Sequence, residues 1–115
     1  MFDPQLDRRQ SRSENPQVAL TRLLEATRHA AALEALAVAD ELGLLMAGAG
    51  AAELCDELAA LSGVANDNDA SVRRMAVDGF QIYISGRGTG LEQALGHVAA
   101  GCARILDEKT ARLAR

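Results

Sequence analysis

Gly86-Arg87-Gly88-Thr89-Gly90 is the stretch whose spacing comes nearest to a chemical device. Backbone N–H groups freed by glycine, with a helix following, can receive a phosphate, and Arg87 adds positive charge. The stretch lacks the spacing and the lysine of a P-loop. It also lacks the full glycine pattern and βαβ context of a dinucleotide site. A strand-to-helix turn explains the same residues without a ligand. Asp67-Asn68-Asp69 offers oxygen ligands of the kind calcium takes, but not the glycine and terminal glutamate of a calcium loop. No metal site is expected from it.

The other reactive side chains are dispersed. Cys55 and Cys102 fall in separate apolar helical patterns, which predicts buried, reduced thiols. His29 follows Glu25 by four residues, the spacing of a surface pair on a helix. Glu53, Asp56 and Glu57 make a wet helical face. Nothing in the sequence supplies the burial or partner charge that tunes a general acid or base. No residue is assigned a catalytic role, and the chain is expected to be no enzyme and to need no cofactor.

These residues must be placed by regular elements. Asn15 can cap a first helix and Pro16 can stand at its first position. The helix is expected over Gln17–Leu33, with Leu20, Leu23, Leu24, Thr27 and Ala31 on one stripe and Arg22, Glu25 and His29 toward solvent. Ala35–Ala39 reads as a strand whose alanines admit a closely packed helix. Asp40-Glu41-Leu42-Gly43 reads as a turn, Leu44–Ala47 as the returning strand, and Gly48-Ala49-Gly50 as its end. A second helix is expected over Ala51–Leu61, with Ala51, Leu54, Cys55 and Leu58 on its apolar face.

Val72–Ser85 holds the strongest hairpin signal. Asp78-Gly79 separates two runs of β character, and a two-residue turn of this kind needs φ > 0. Met75 and Val77 lie on an apolar face of the first run. Phe80, Ile82 and Ile84 lie on one face of the second, which is expected to hold the sheet against a helix. Thr89 and Glu92 have the spacing of a capping box. The last helix is expected over Gly90–Leu113, its stripe running through Leu91, Leu95, Val98, Cys102, Ile105 and Leu106. Gly101 inside it costs roughly 1 kcal/mol of helix stability relative to Ala, which a close approach by a neighbour would explain.

Composition bounds the rest. The 115 residues suffice for one domain, and residues 15–115 are read as that domain. Residues 1–14 carry sparse apolar side chains, Phe2 and Leu6, among charges, and are read as a disordered tail, with a recruitment peptide as the other reading. Aromatics make up only 3%, so the core must be aliphatic, and a partner subunit can complete its burial. A net charge of −4 argues against a nucleic-acid partner bound through a broad basic face. From Glu34 to Asp69 there are eight acidic residues and no basic one; from Val72 to Arg115 there are seven basic and four acidic. Such opposed fields can select a partner or a second copy. With no apolar leader and no run long enough to span a bilayer, the expected location is the cytoplasm, without membrane contact.

Three segments carry a resemblance to a known family. They are LAVADELGLLMAGAG from Leu36, AAELCDELAAL directly after it, and FQIYISGRGTGLEQALGHVAAGCARIL from Phe80. In this order they resemble the first hairpin, central helix, late strand and terminal helix of the Roadblock/LC7 family, over about Val18–Leu113. The resemblance implies an α/β fold with three helices on an antiparallel sheet of four or five strands, in the order α-β-β-α-β-β-α. Four strands are legible here, and the family's sheet normally has five.

The resemblance further implies a homodimeric, non-catalytic scaffold or regulator, joined through the central helix and a sheet edge. Some bacterial relatives act with small Ras-like GTPases. Carried onto this sequence, it places Leu54, Cys55, Leu58, Arg73, Met75 and Tyr83 at the interface. The competing reading is a small-molecule or nucleotide-binding module using the Gly86–Gly90 turn.

Overall fold

The computed structural model describes residues 16–64, 71–77 and 79–113. Asn15, Asp78, the tail 1–14 and the Asp67-Asn68-Asp69 cluster lie outside the described residues. Helix α1 spans Pro16–Ala31, strand β1 Ala35–Asp40, strand β2 Leu45–Ala49 and helix α2 Ala52–Ser62. Strand β3 spans Val72–Val77, strand β4 Phe80–Arg87 and helix α3 Leu91–Leu113. This is the expected α-β-β-α-β-β-α order. Among the described residues the sheet has four strands, antiparallel throughout, in the order β2-β1-β4-β3.

Strand β1 is central because its two faces suit two different neighbours. Leu36 and Val38 point into the larger core with Leu20, Leu24, Ile82, Ile84, Leu95, Val98 and Cys102. Ala35 and Ala37 point the other way and meet Cys55 and Leu58. Alternation therefore puts bulk beneath the helix pair α1 and α3, and methyl groups beneath α2 alone. Helix α2 packs over β1, β2 and β4. Gly48 belongs to β2 rather than ending it. A β-carbon there would stand 2.8 Å from the Cys55 sulfur, so its hydrogen admits the helix.

The turn at Asp40 forms as its residues require. The Asp40 Oδ1 accepts hydrogen bonds from the Leu42 and Leu44 N–H groups, both at 2.9 Å. Gly43 takes φ +83°. The next hairpin closes with Val77 opposite Phe80 and Gly79 at φ +83°.

Three further expectations are corrected. Helix α1 stops at Ala31, two residues early. The Leu33 N–H donates to the Arg28 carbonyl at 3.0 Å, the Ala32 N–H to that of His29 at 3.3 Å, and Ala32 turns left-handed at φ +54°. That bond pair is a Schellman motif, with alanine where glycine is usual. The residue before α3 is Gly90, not Thr89: the Gly90 carbonyl accepts from the Ala94 N–H, and Gly90 has φ +74°. Phe80 does not hold the sheet to a helix. It lies at the hairpin end and is 68% exposed, whereas Ile82 and Ile84 are buried as expected.

Gly101 has the anticipated cause. A β-carbon there would lie 2.5 Å from Leu23 Cδ2, so α1 and α3 approach across it.

Candidate interaction surface

The sheet is finished on one side and partly open on the other. Helices α1 and α3 pack together over one face. On the opposite face α2 covers the β2 side. Strand β3 pairs only with β4, so its outer backbone edge is unpaired within the described sheet. An unpaired edge is a template for another chain unless something protects it.

The six residues anticipated at the interface divide by position. Leu54, Cys55 and Leu58 share α2, and Tyr83 lies on the sheet face that α2 covers. Leu54 and Tyr83 are half-buried and reach the surface, while Cys55 and Leu58 are buried against Ala35 and Ala37. The latter two can position α2 but offer little contact area outward. Arg73 and Met75 point to the other face of the edge strand. Met75 packs on the larger core, and an Arg73 guanidinium nitrogen sits 3.4 Å from where a β-carbon on Gly96 of α3 would be. The structure thus brings four of the six to the face that α2 covers and sets two on the other, with Cys55 and Leu58 against the covered strand β1 and only Arg73 and Met75 on the edge strand β3.

One neighbour of Tyr83 escaped the sequence reading. Arg74 stands opposite Tyr83 in the register, and its guanidinium lies 5.8 Å from the ring centroid. That is cation–π distance. Its signal was present: in a two-residue hairpin at 78–79, positions 74 and 83 must face each other.

The packing that holds this surface is mostly apolar, with two polar ties. The Ser85 hydroxyl donates to the Leu58 carbonyl at 3.4 Å, linking β4 to α2. The Cys55 thiol donates to the Ala49 carbonyl at 3.3 Å. Burial pushes the Cys55 thiol up, against the lowering effect of that hydrogen bond. Cys102, in the opposite core, is pushed up to about 11 by burial. Both cysteines are free, and neither has the lowered pKa of a nucleophile.

The Gly86–Gly90 turn borders an open depression of about 370 Å³, with Leu58, Leu61, Val72 and Leu91 among its walls. Gly86 and Gly88 serve packing there. A β-carbon on Gly86 would meet Leu91 and Leu36, and one on Gly88 would meet Leu33, all within 2.8 Å. Those contacts explain the glycines without a phosphate. Among the described residues no group of three or more His, Cys, Asp or Glu could hold a metal ion. No described helix is long and apolar enough to cross a membrane.

No protein-family model matches the chain, and no curated protein matches it. Solved structures do share its shape. One is Myxococcus xanthus MglB, with a TM-score of 0.56 at 14% identity, over 84% of this chain and 93% of that one. Another, described as MglB with tetrameric arrangement, has a TM-score of 0.52 at 15% identity, over 83% of this chain and 93% of that one.

Proposed function

The chain has the Roadblock/LC7 fold, and from that fold we propose that it is a non-catalytic, homodimeric scaffold or regulator acting with a small Ras-like GTPase. The observation that carries this reading is the open half of the sheet: a β3 edge unpaired within the described sheet, with Arg74 on that strand, Tyr83 beside it and the outward side of α2 near by. Two copies joined there protect each other's edge and merge two sheets. Leu54 and Tyr83 supply the exposed contacts, Arg73 and Met75 belong to the pairing strand itself, and Cys55 and Leu58 hold α2 at its height from behind. The joined copies present a composite surface, and the work is done by shape and charge rather than by a reacting group. The proposed location is the cytoplasm.

Light scattering over a concentration series tests the pairing. The wild-type chain is expected to reach twice the monomer mass by micromolar concentrations. Tyr83→Asp, which removes the aromatic anchor and introduces a charge at a site already half in water, is expected to weaken pairing at least about tenfold. A wild-type chain that stays monomeric to high micromolar concentration overturns the dimer. Titration with a Ras-like GTPase in its GDP and GTP-analogue states tests the partner, and equal, negligible binding in both states removes it.

A further inference from the structure

An apolar patch lies where the end of α2 meets the turn between β1 and β2. The two approach through a pair of glycines. A β-carbon on Gly43 would stand 3.4 Å from the Ala59 carbonyl oxygen, and one on Gly63 would stand 3.6 Å from the Gly43 α-carbon. Leu42 and Leu44 flank the first glycine; Leu61 and Val64 stand on either side of the second. At 80%, 61%, 51% and 80%, these are the four most exposed large aliphatic side chains among the described residues. A single exposed leucine is ordinary, but four at one junction make a patch of the kind that binds.

The patch is held in shape before anything meets it. The Asp40 carboxylate ties down the Leu42 and Leu44 N–H groups. The Gly43 N–H donates to the Asp40 carbonyl at 3.0 Å, and the Val64 N–H to the Leu61 carbonyl at 3.1 Å. Little backbone ordering is left for binding to bear.

Its rim is acidic. Asp40 and Glu41 belong to the turn, and Glu57 stands four residues before Leu61 on the exposed side of α2, with Glu53 and Asp56 behind it. From Glu34 to Val64 there is no basic residue. On the face that α2 covers, the sheet's described basic side chains are Arg74, set over Tyr83, and Arg87, at the far end of β4. Both stand on strands beyond the β1–β2 hairpin.

We propose that this patch docks a partner segment that carries apolar anchors flanked by lysine or arginine. The four aliphatic side chains seat the anchors, and Glu41 and Glu57 meet the cations. A second copy fits less well. Joined two-fold through the patch, two copies set Glu41 and Glu57 of one against those of the other. Turned head to tail, they make an open filament rather than a closed pair. The site does not rest on pairing at β3, since Leu42 and Leu44 sit on the hairpin farthest from that edge.

Titration of the full chain with a short dye-labelled peptide of leucine and lysine at helical spacing tests it, read by fluorescence anisotropy and amide chemical shifts. Saturable binding is expected, with shifts centred on Leu42–Leu44 and Leu61–Val64. Leu42→Ser/Val64→Ser is expected to weaken it at least about tenfold. Glu41→Gln/Glu57→Gln is expected to weaken it at least about threefold. Phe80→Ser removes an equally wet apolar side chain from the other hairpin and is expected to leave binding unchanged. All these positions are exposed, so each variant should melt within about 3 °C of wild type. A matched peptide with glutamate for lysine is expected not to bind. No saturable binding, full binding by the double-serine variant, equal binding of the glutamate peptide, or shifts gathered on β3 instead overturns the proposal. So does light scattering in which Leu42→Ser/Val64→Ser lowers the mass of the assembly, which makes the patch a contact between copies. A chain that stays monomeric yet binds the lysine peptide at these residues keeps this site and removes only the pairing at β3.

Discussion

Ala32 shows how much one residue can hold in check. It is the only non-glycine residue with positive φ among those described, and it ends α1 in a position where glycine carries no penalty. Ala32→Gly is expected to raise stability by about 1 kcal/mol, or roughly 4 °C in Tm, read by thermal unfolding. Gly keeps both Schellman hydrogen bonds, since they use only the backbone.

Cys102 makes a statement about pH. Its thiol is pushed up to about 11 from the ordinary 9.0 by burial alone. The folded chain therefore keeps this proton when the unfolded chain has begun to lose it. As pH rises past 9 the unfolded state gains, and stability falls until about pH 11, beyond which this contribution is level. Cys102→Ala lacks the effect. Urea unfolding across this range should show the deficit of the variant relative to wild type narrowing by up to about 2–3 kcal/mol.

At the scale of elements, α2 lies close against β2. Gly48→Ala puts a methyl group 2.8 Å from the Cys55 sulfur and 2.9 Å from its β-carbon, inside any normal contact. The helix must lift or the strand bend, at an expected cost of about 1–3 kcal/mol. Adding Cys55→Ala removes the sulfur and should return part of that loss, a coupling that a double-mutant cycle by urea unfolding measures.

The same elements show what the sequence made legible. Alternation in ALAVA and in the run from Ile82 to Ile84 was enough to assign strands and faces, because a period of two has one physical meaning. Glycine at 101 was correctly read as a close approach, since its cost to a helix demands a reason. Phe80 misled because alternation tells which face a residue is on, not whether the covering helix extends that far. Cys55 and Leu58 carried the helix's apolar face, but a pattern of this kind cannot say whether the face meets its own sheet or a partner. Gly48 read as a terminator because its reason, a sulfur seven residues ahead, exists only once the helix is folded over the strand.

For the whole molecule, charge is divided by place. Glu34, Asp40, Glu41, Glu53, Asp56 and Glu57 populate β1, β2, α2 and their connections. Arg73, Arg74, Arg87 and Arg104 populate β3, β4 and α3, with Glu92 against them. A two-fold pairing through β3 brings like surface to like, so the Arg73 and Arg74 of both copies gather near the axis. Their repulsion is screened by salt. Homodimerisation through this edge should therefore tighten severalfold as ionic strength rises from about 0.02 M to 0.15 M, measured by light scattering or sedimentation. Weakening over that interval would place acidic against basic surface instead, and reject the β3 edge.

The strand order carries a consequence for how the chain reaches this state. Strands β1 and β2, and likewise β3 and β4, are neighbours in sequence and can zip as local hairpins within microseconds. The seam between β1 and β4, where Ala37 meets Ser85 and Val38 meets Ile84, joins residues more than forty positions apart. Its closure must bear the loop entropy before any contact across it is gained. That seam is expected to be the late, rate-setting event, which makes β1 the strand where the two local hairpins join.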